Sequence, residues 1–212
     1  MNKKACIATG WLASFVLWTI AVCNIDVARI GPRGSAVGFA TINAWFHHLT
    51  GVHMTLYTIT DWLGLVPVAV CLLFAVVGLW QWITRKHIGR VDVDILMLAG
   101  FYIITIAAYL LFESVVINYR PILIAGYLEA SYPSSTTLLV LCVMPTALWQ
   151  VKRRIHHPIL RRCLATAIAV FATFMVTGRL LSGVHWLSDI IGGVLCSVGL
   201  VCLYDACCCR AK

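Results

Sequence analysis

Charge is what this sequence has least of. Only 11% of its 212 residues are Asp, Glu, Lys or Arg, and only 8 of those are acidic. An ordinary soluble domain carries about a quarter charged residues, so that class is excluded. The strict apolar–polar alternation of half-buried strands is missing too, because the apolar residues come in long runs. The ten cysteines show no paired CxxC spacing, which argues against a zinc site or a structural disulfide. They read as small apolar core residues, with S-acylation open only to the terminal run Cys207–Cys209. No Gly-x-Ser-x-Gly elbow is present, so Ser182 and His185 do not make a serine hydrolase. No metal-ligand set and no cofactor motif stand out.

What is present is apolar: 61% of the chain is hydrophobic. Six runs are long enough, or nearly so, to cross about 30 Å of hydrocarbon. They are Ala5–Cys23, Leu65–Ile83, Ile95–Phe112, Ser134–Val151 with a kink expected at Pro145, Cys163–Gly178 and Trp186–Tyr204. The expected fold class is all-α: a polytopic membrane protein, a six-transmembrane-helix bundle forming one membrane domain over residues 1–212. The opening "MNKK" and its apolar run read as an uncleaved first helix, since the run is too long for a signal-peptide core. The outer loop 24–64 holds Gly- and Pro-rich turn material at Gly31–Ser35. Its aromatic patch, with Trp45, Phe46, Tyr57 and Trp62, suits the membrane interface.

The net charge of +8 raises nucleic acid as a partner, but the basic residues sit in short clusters between apolar runs. With the N-terminus in the cytoplasm, that side collects Lys3, Lys4, Arg85, Lys86, Arg90, Lys152, Arg153, Arg154, Arg161, Arg162, Arg210 and Lys212. Only Arg29, Arg33, Arg120 and Arg179 fall on the other face. This is a positive-inside pattern, with both termini cytoplasmic. The basic charge therefore serves topology, and no nucleic-acid partner is expected.

Three polar groupings then converge on the extracytoplasmic face: Asn118–Pro121, Tyr132–Thr137, and the trio Arg179, His185 and Asp189. Ionisable groups at membrane depth are costly and mark function by default. The His185–Asp189 spacing is i, i+4, which on a helix lets the carboxylate accept Nδ1–H and leaves Nε2 free. Arg120 and Arg179 are suited to bidentate phosphate contacts. The N-terminus of the fourth helix adds N–H groups and the hydroxyls of Ser134 and Ser135, although Ser134–Thr137 reads equally well as an ordinary N-cap. The set fits phosphoryl transfer, where positioning and charge stabilisation do most of the work.

The same residues resemble the type 2 phosphatidic acid phosphatase family. Its third motif is matched by Arg179, five residues, His185, three residues, Asp189, with Gly178 in place of a serine. Arg120–Pro121 matches the end of the first motif and Pro133–Ser134 the start of the second. The resemblance implies that His185 attacks phosphorus to form a phosphohistidine and that Asp189 orients it. Arg120, Arg179 and Ser134 would hold the phosphate. It implies no metal, membrane lipids as neighbours, and a lipid phosphate or polyprenyl diphosphate as substrate. Two positions depart from the pattern. Glu113 stands where the family has lysine, and Thr136 stands where it has the histidine that protonates the leaving group. Glu113 is open to pairing with Arg120 or with Arg179. Without that acid a diphosphate, whose leaving phosphate has a second pKa of about 6, is favoured over a monoester. His47, His48 or His53 is an alternative proton source. A non-catalytic or phosphotransferase relative that binds lipid phosphates is the alternative function. The six spans do not read as two inverted halves, so a secondary transporter is a weaker fit.

Overall fold

The structure is a computed structural model and describes residues 3–208. Its helices are α1 (Lys3–Asn24), α2 (Ala40–Thr50), α3 (Met54–Leu63), α4 (Leu65–Arg85), α5 (Val93–Ser114), α6 (Ser135–Arg154), α7 (Pro158–Leu181) and α8 (Leu187–Cys208). The described residues form no strands, only isolated bridges. The apolar run used to place the fifth helix begins at Cys163, but α7 begins at Pro158. Pro158 sits at a helix start, where its missing N–H costs nothing, and His157 Nδ1 accepts from Leu160 N at 3.3 Å.

Among the described residues, five segments are long and apolar enough to cross a membrane: Lys3–Asn24, Met54–Arg85, Val93–Ser114, Pro158–Leu181 and Leu187–Cys208. Helix α6 is not among them. It lies between α4, α5, α7 and α8, and its Thr137, Thr146 and Gln150 are each 1% exposed. A helix enclosed by others needs no lipid-facing apolar surface. It runs through Pro145 as one helix.

Helix α1 packs chiefly along α8, and α6 along α7 and α8. Phe15, Leu98, Phe101, Leu138, Val143, Met175, Leu200 and Tyr204 belong to one buried cluster. The up-and-down order sends the basic segments to one end of the bundle. There Arg85 and Arg154 pair with Asp92 at 2.7 and 3.2 Å, Arg154 pairs with Asp94 at 2.9 Å, and Lys4 pairs with Asp205 at 2.7 Å. Hydrogen bonds from Arg85, Gln81 and Arg154, the Arg85 bond foremost, hold the Asp92 carboxyl below its usual range. The cysteines described are all free; Cys209 of the terminal run lies outside the described residues.

The other end is built by the starts of α6 and α8, the ends of α5 and α7, and the long connections. Asn43 of α2 satisfies the first turn of α8: its Oδ1 accepts from Ser188 N at 3.1 Å and its Nδ2 donates to Ser188 Oγ at 2.9 Å. The α7–α8 turn depends on Gly183, whose φ is +69° and whose Cβ would collide with the Gly51 carbonyl oxygen. Gly183→Ala is therefore expected to lose at least about 1 kcal/mol from backbone strain alone. It should also shift the following histidine enough to cut activity on the order of 10²-fold. Thermal unfolding in detergent and a turnover assay check both, and wild-type values in each would contradict the assignment.

Candidate active site

Between α5 and α6 the chain folds back on itself as an irregular hairpin. Arg120 N donates to Glu129 O at 3.0 Å, and Ser131 N donates to Asn118 O at 2.9 Å. Its far end is anchored by Tyr132. The Tyr132 ring packs against Phe15 and Phe112, and its hydroxyl lies 2.7 Å from Thr19 Oγ1. Gly192 of α8 leaves room for that ring, since a Cβ there would run into it. The hairpin thus delivers Asn118, Arg120, Ser131 and Ser134 to the first turn of α8.

His185 lies in the α7–α8 turn, two residues before α8, so the expected helical i, i+4 pairing with Asp189 is not formed. Instead Ser131 stands between them. Its Oγ is 3.0 Å from His185 Nδ1 and donates to Asp189 Oδ2 at 2.5 Å. Asp189 is fully buried and accepts further bonds from Trp186 N at 3.0 Å, Asn118 Nδ2 at 3.1 Å and Ser188 Oγ at 3.4 Å. Its bond to Trp186 N is the returning half of a capping box at the start of α8.

Arg120 and Arg179 both face the ring of Tyr57 of α3, with guanidinium carbons 5.8 and 5.0 Å from its centroid. Arg179, 2% exposed, donates from Nη2 to Thr136 Oγ1 at 2.6 Å and to Asp61 Oδ1 at 3.0 Å. Arg120 Nε lies 3.1 Å from Glu129 Oε2 as an ion pair without hydrogen-bond alignment. Glu113, for which pairing with Arg120 or Arg179 was open, is exposed, and the carboxylates beside those arginines are Glu129 and Asp61.

Several buried polar atoms here have no protein partner: His185 Nε2, Arg120 Nη1, Arg179 Nε and Nη1, Ser134 Oγ and Thr137 Oγ1. Buried polar atoms left without a protein partner are costly, so these are open to a ligand or to water. Two guanidinium groups, a hydroxyl and the N-terminal end of α6 together suit a phosphate. Ser134 is the N-cap residue of α6, but its side chain makes no capping bond and its hydroxyl is unpartnered. Ser135 and Thr136 line an apolar cavity of about 350 Å³ between α4, α5 and α6, together with Val68, Ile106 and Leu139. His47 Nε2 is bonded to Gly183 O at 3.1 Å and His53 Nε2 to Thr50 O at 2.9 Å. Both bonds tie the loop to the α7–α8 turn and to α2.

Sequence reasoning missed Tyr57, Asp61, Glu129 and Ser131 as site residues, and it placed Asn118 at the site without its bond to Asp189. The aromatic patch holding Tyr57 and Asp61 was read as interfacial. Its Trp45 and Trp62 are indeed 61% and 71% exposed, but α3 also packs on α7 and lays its other face over the arginines.

The fold is that of a helical membrane protein, with unpartnered histidine and guanidinium nitrogens gathered at one end of the bundle. The sequence profile of the PAP2 superfamily matches residues 99–207, and the chain belongs to that superfamily. The fold is also similar to a solved structure, the first transmembrane PAP2-type phosphatidylglycerolphosphate phosphatase from Bacillus subtilis. That likeness has a TM-score of 0.67 and 16% sequence identity and covers 97% of each chain. No curated protein sequence matches the chain.

Proposed function

We propose that the chain is an integral membrane lipid phosphatase that removes a phosphate or diphosphate headgroup through a phosphohistidine on His185. The supporting observation is the group of unpartnered atoms, His185 Nε2 and the guanidinium nitrogens of Arg120 and Arg179, gathered at one end of the bundle. Asp189 fixes the histidine through its hydrogen-bond partners. Arg120, Arg179 and Ser134 hold the phosphoryl oxygens and stabilise the charge that develops in transfer. The cavity beside Ser135 and Thr136 takes the start of the lipid chain. The chain crosses the membrane six times, with α6 as the enclosed span. Both termini are cytoplasmic and the site is extracytoplasmic, in line with the basic clusters at the opposite end.

The electrostatics favour a nucleophilic histidine. Burial, with Arg120 and Arg179 adding to it, holds His185 well below the usual histidine range, so the ring stays neutral. The neutral ring keeps a lone pair on Nε2. As pH falls through 6.5, kcat/KM is therefore expected to stay level, with the acid limb lying below that value. The unfolded histidine binds a proton below about 6.5 that the folded one does not, so stability declines as pH drops below that point. An acid limb at or above 6.5 would contradict this assignment.

Two observations favour a second reading, a relative that binds lipid phosphates without hydrolysing them or that passes the phosphoryl group to another acceptor. The family's acid is replaced by Thr136, and both arginines already face carboxylates, Asp61 and Glu129. Phosphate release by the purified protein from a panel of lipid mono- and diphosphates separates the readings. Release from at least one diphosphate is expected; binding with no release from any lipid would establish the second reading.

A further inference from the structure

Building on the phosphatase reading, we infer that Ser131 is a positioning residue, the link through which Asp189 acts on His185. A hydroxyl has one proton, and Ser131 gives it to Asp189 Oδ2 at 2.5 Å. Its oxygen, 3.0 Å from His185 Nδ1, must then accept a hydrogen bond from Nδ1–H. The tautomer follows: Nδ1 is protonated, and Nε2 carries a lone pair. Nε2 is the ring atom that is buried and unpartnered beside the arginines.

Ser131 is held for this role from several directions. It is 2% exposed, and its N–H is tied to Asn118 O at 2.9 Å. The same Asn118 donates to Asp189 Oδ1 at 3.1 Å, so one residue fixes both the serine and the carboxylate. Bonds from Trp186 N and Ser188 Oγ occupy other positions on Asp189 and keep it from turning to the ring. The charged groups facing His185 are Arg120 from the hairpin, Arg179 from α7, and Asp189 from α8, reached through Ser131.

In the first chemical step the Nε2 lone pair forms the N–P bond. The P–O bond to the leaving group breaks, and its electron pair departs on the leaving oxygen. The ring becomes cationic, and no proton enters or leaves it. The positive charge strengthens the Nδ1–H to Oγ bond, and the Oγ–H to Asp189 bond with it. The carboxylate thereby stabilises the phosphohistidine at one residue's remove.

The experiment compares wild type with Ser131→Ala, Ser131→Thr, Ser131→Cys and His185→Ala. It reads kcat, KM and the pH profile on a lipid diphosphate that the wild type turns over, with size-exclusion profiles to verify folding. Ser131→Ala is expected to lower kcat about 10- to 100-fold with KM little changed. It should also move the acid limb to lower pH, because the imidazolium loses its acceptor. Ser131→Thr, which restores the hydroxyl, should recover both rate and limb. Ser131→Cys fills similar space and donates only weakly, and it should change rate and limb in the same direction. It is read in place of the alanine variant where the latter does not fold. A folded Ala or Cys variant with wild-type kcat and limb, beside an inactive His185→Ala, overturns the role of Ser131 alone. An active His185→Ala overturns the phosphatase mechanism itself.

Discussion

Replacing His185 with alanine is expected to reduce phosphate release at least about 10⁴-fold, with lipid binding retained. The side chain is 3% exposed, and its Nε2 is buried and unpartnered, as are guanidinium nitrogens of Arg120 and Arg179. Alanine removes the imidazole but leaves the guanidinium charges of Arg120 and Arg179. Binding and turnover should therefore separate. Substituting the arginines should do the reverse in part: Arg179→Lys loses Nε and Nη1, the two guanidinium nitrogens left unpartnered for a phosphate, so KM rises as kcat falls. Retention of more than about a tenth of wild-type turnover by His185→Ala would rule out a histidine nucleophile.

The second large effect concerns the leaving group. Thr136 lies against Arg179, at the position where the family pattern has its proton donor. A threonine hydroxyl does not protonate an alkoxide near neutral pH, and general-acid catalysis is worth about 10²–10⁴-fold. A lipid diphosphate expels a phosphate that needs no such help. Wild-type turnover on a polyprenyl diphosphate is therefore expected to exceed that on a phosphatidic-acid-type monoester by at least about 10²-fold. Thr136→His should raise monoester turnover about 10-fold or more and bring in a basic limb near the histidine range of about 6.5. Equal or faster monoester hydrolysis by the wild type would refute the preference and point to another acid. Tyr57 and Asp61 of α3 would then be the residues to substitute.

Much of this was legible in the sequence. Arg179, His185 and Asp189 could be read together because one helix–turn–helix carries all of them and their spacing is a local property. The apolar runs also marked where most helices lie, since a lipid-facing helix must be apolar along its length. Helix α6 strained that rule: it is buried by its neighbours, so Thr137, Thr146 and Gln150 lie within it at no cost to lipid contact. Ser131 and Asn118 were not legible as partners of Asp189. Their pairing comes from hairpin register in a segment without regular strands, and hairpin register leaves no periodic trace. The i, i+4 reading of His185 and Asp189 failed because α8 starts at Leu187, after the histidine. Tyr57 and Asp61 were hidden differently. An aromatic amphipathic stretch looks the same in sequence whether its second face meets lipid headgroups or a pair of arginines.

The most direct measurement is acid-stable-versus-acid-labile phosphate analysis of the protein after a rapid quench in base, with mapping of the modified residue. During turnover of a radiolabelled lipid diphosphate, the wild type should carry an acid-labile, base-stable phosphoryl group on Nε2 of His185, absent from His185→Ala. Turnover with no such adduct, or an adduct on any other residue, would contradict the mechanism.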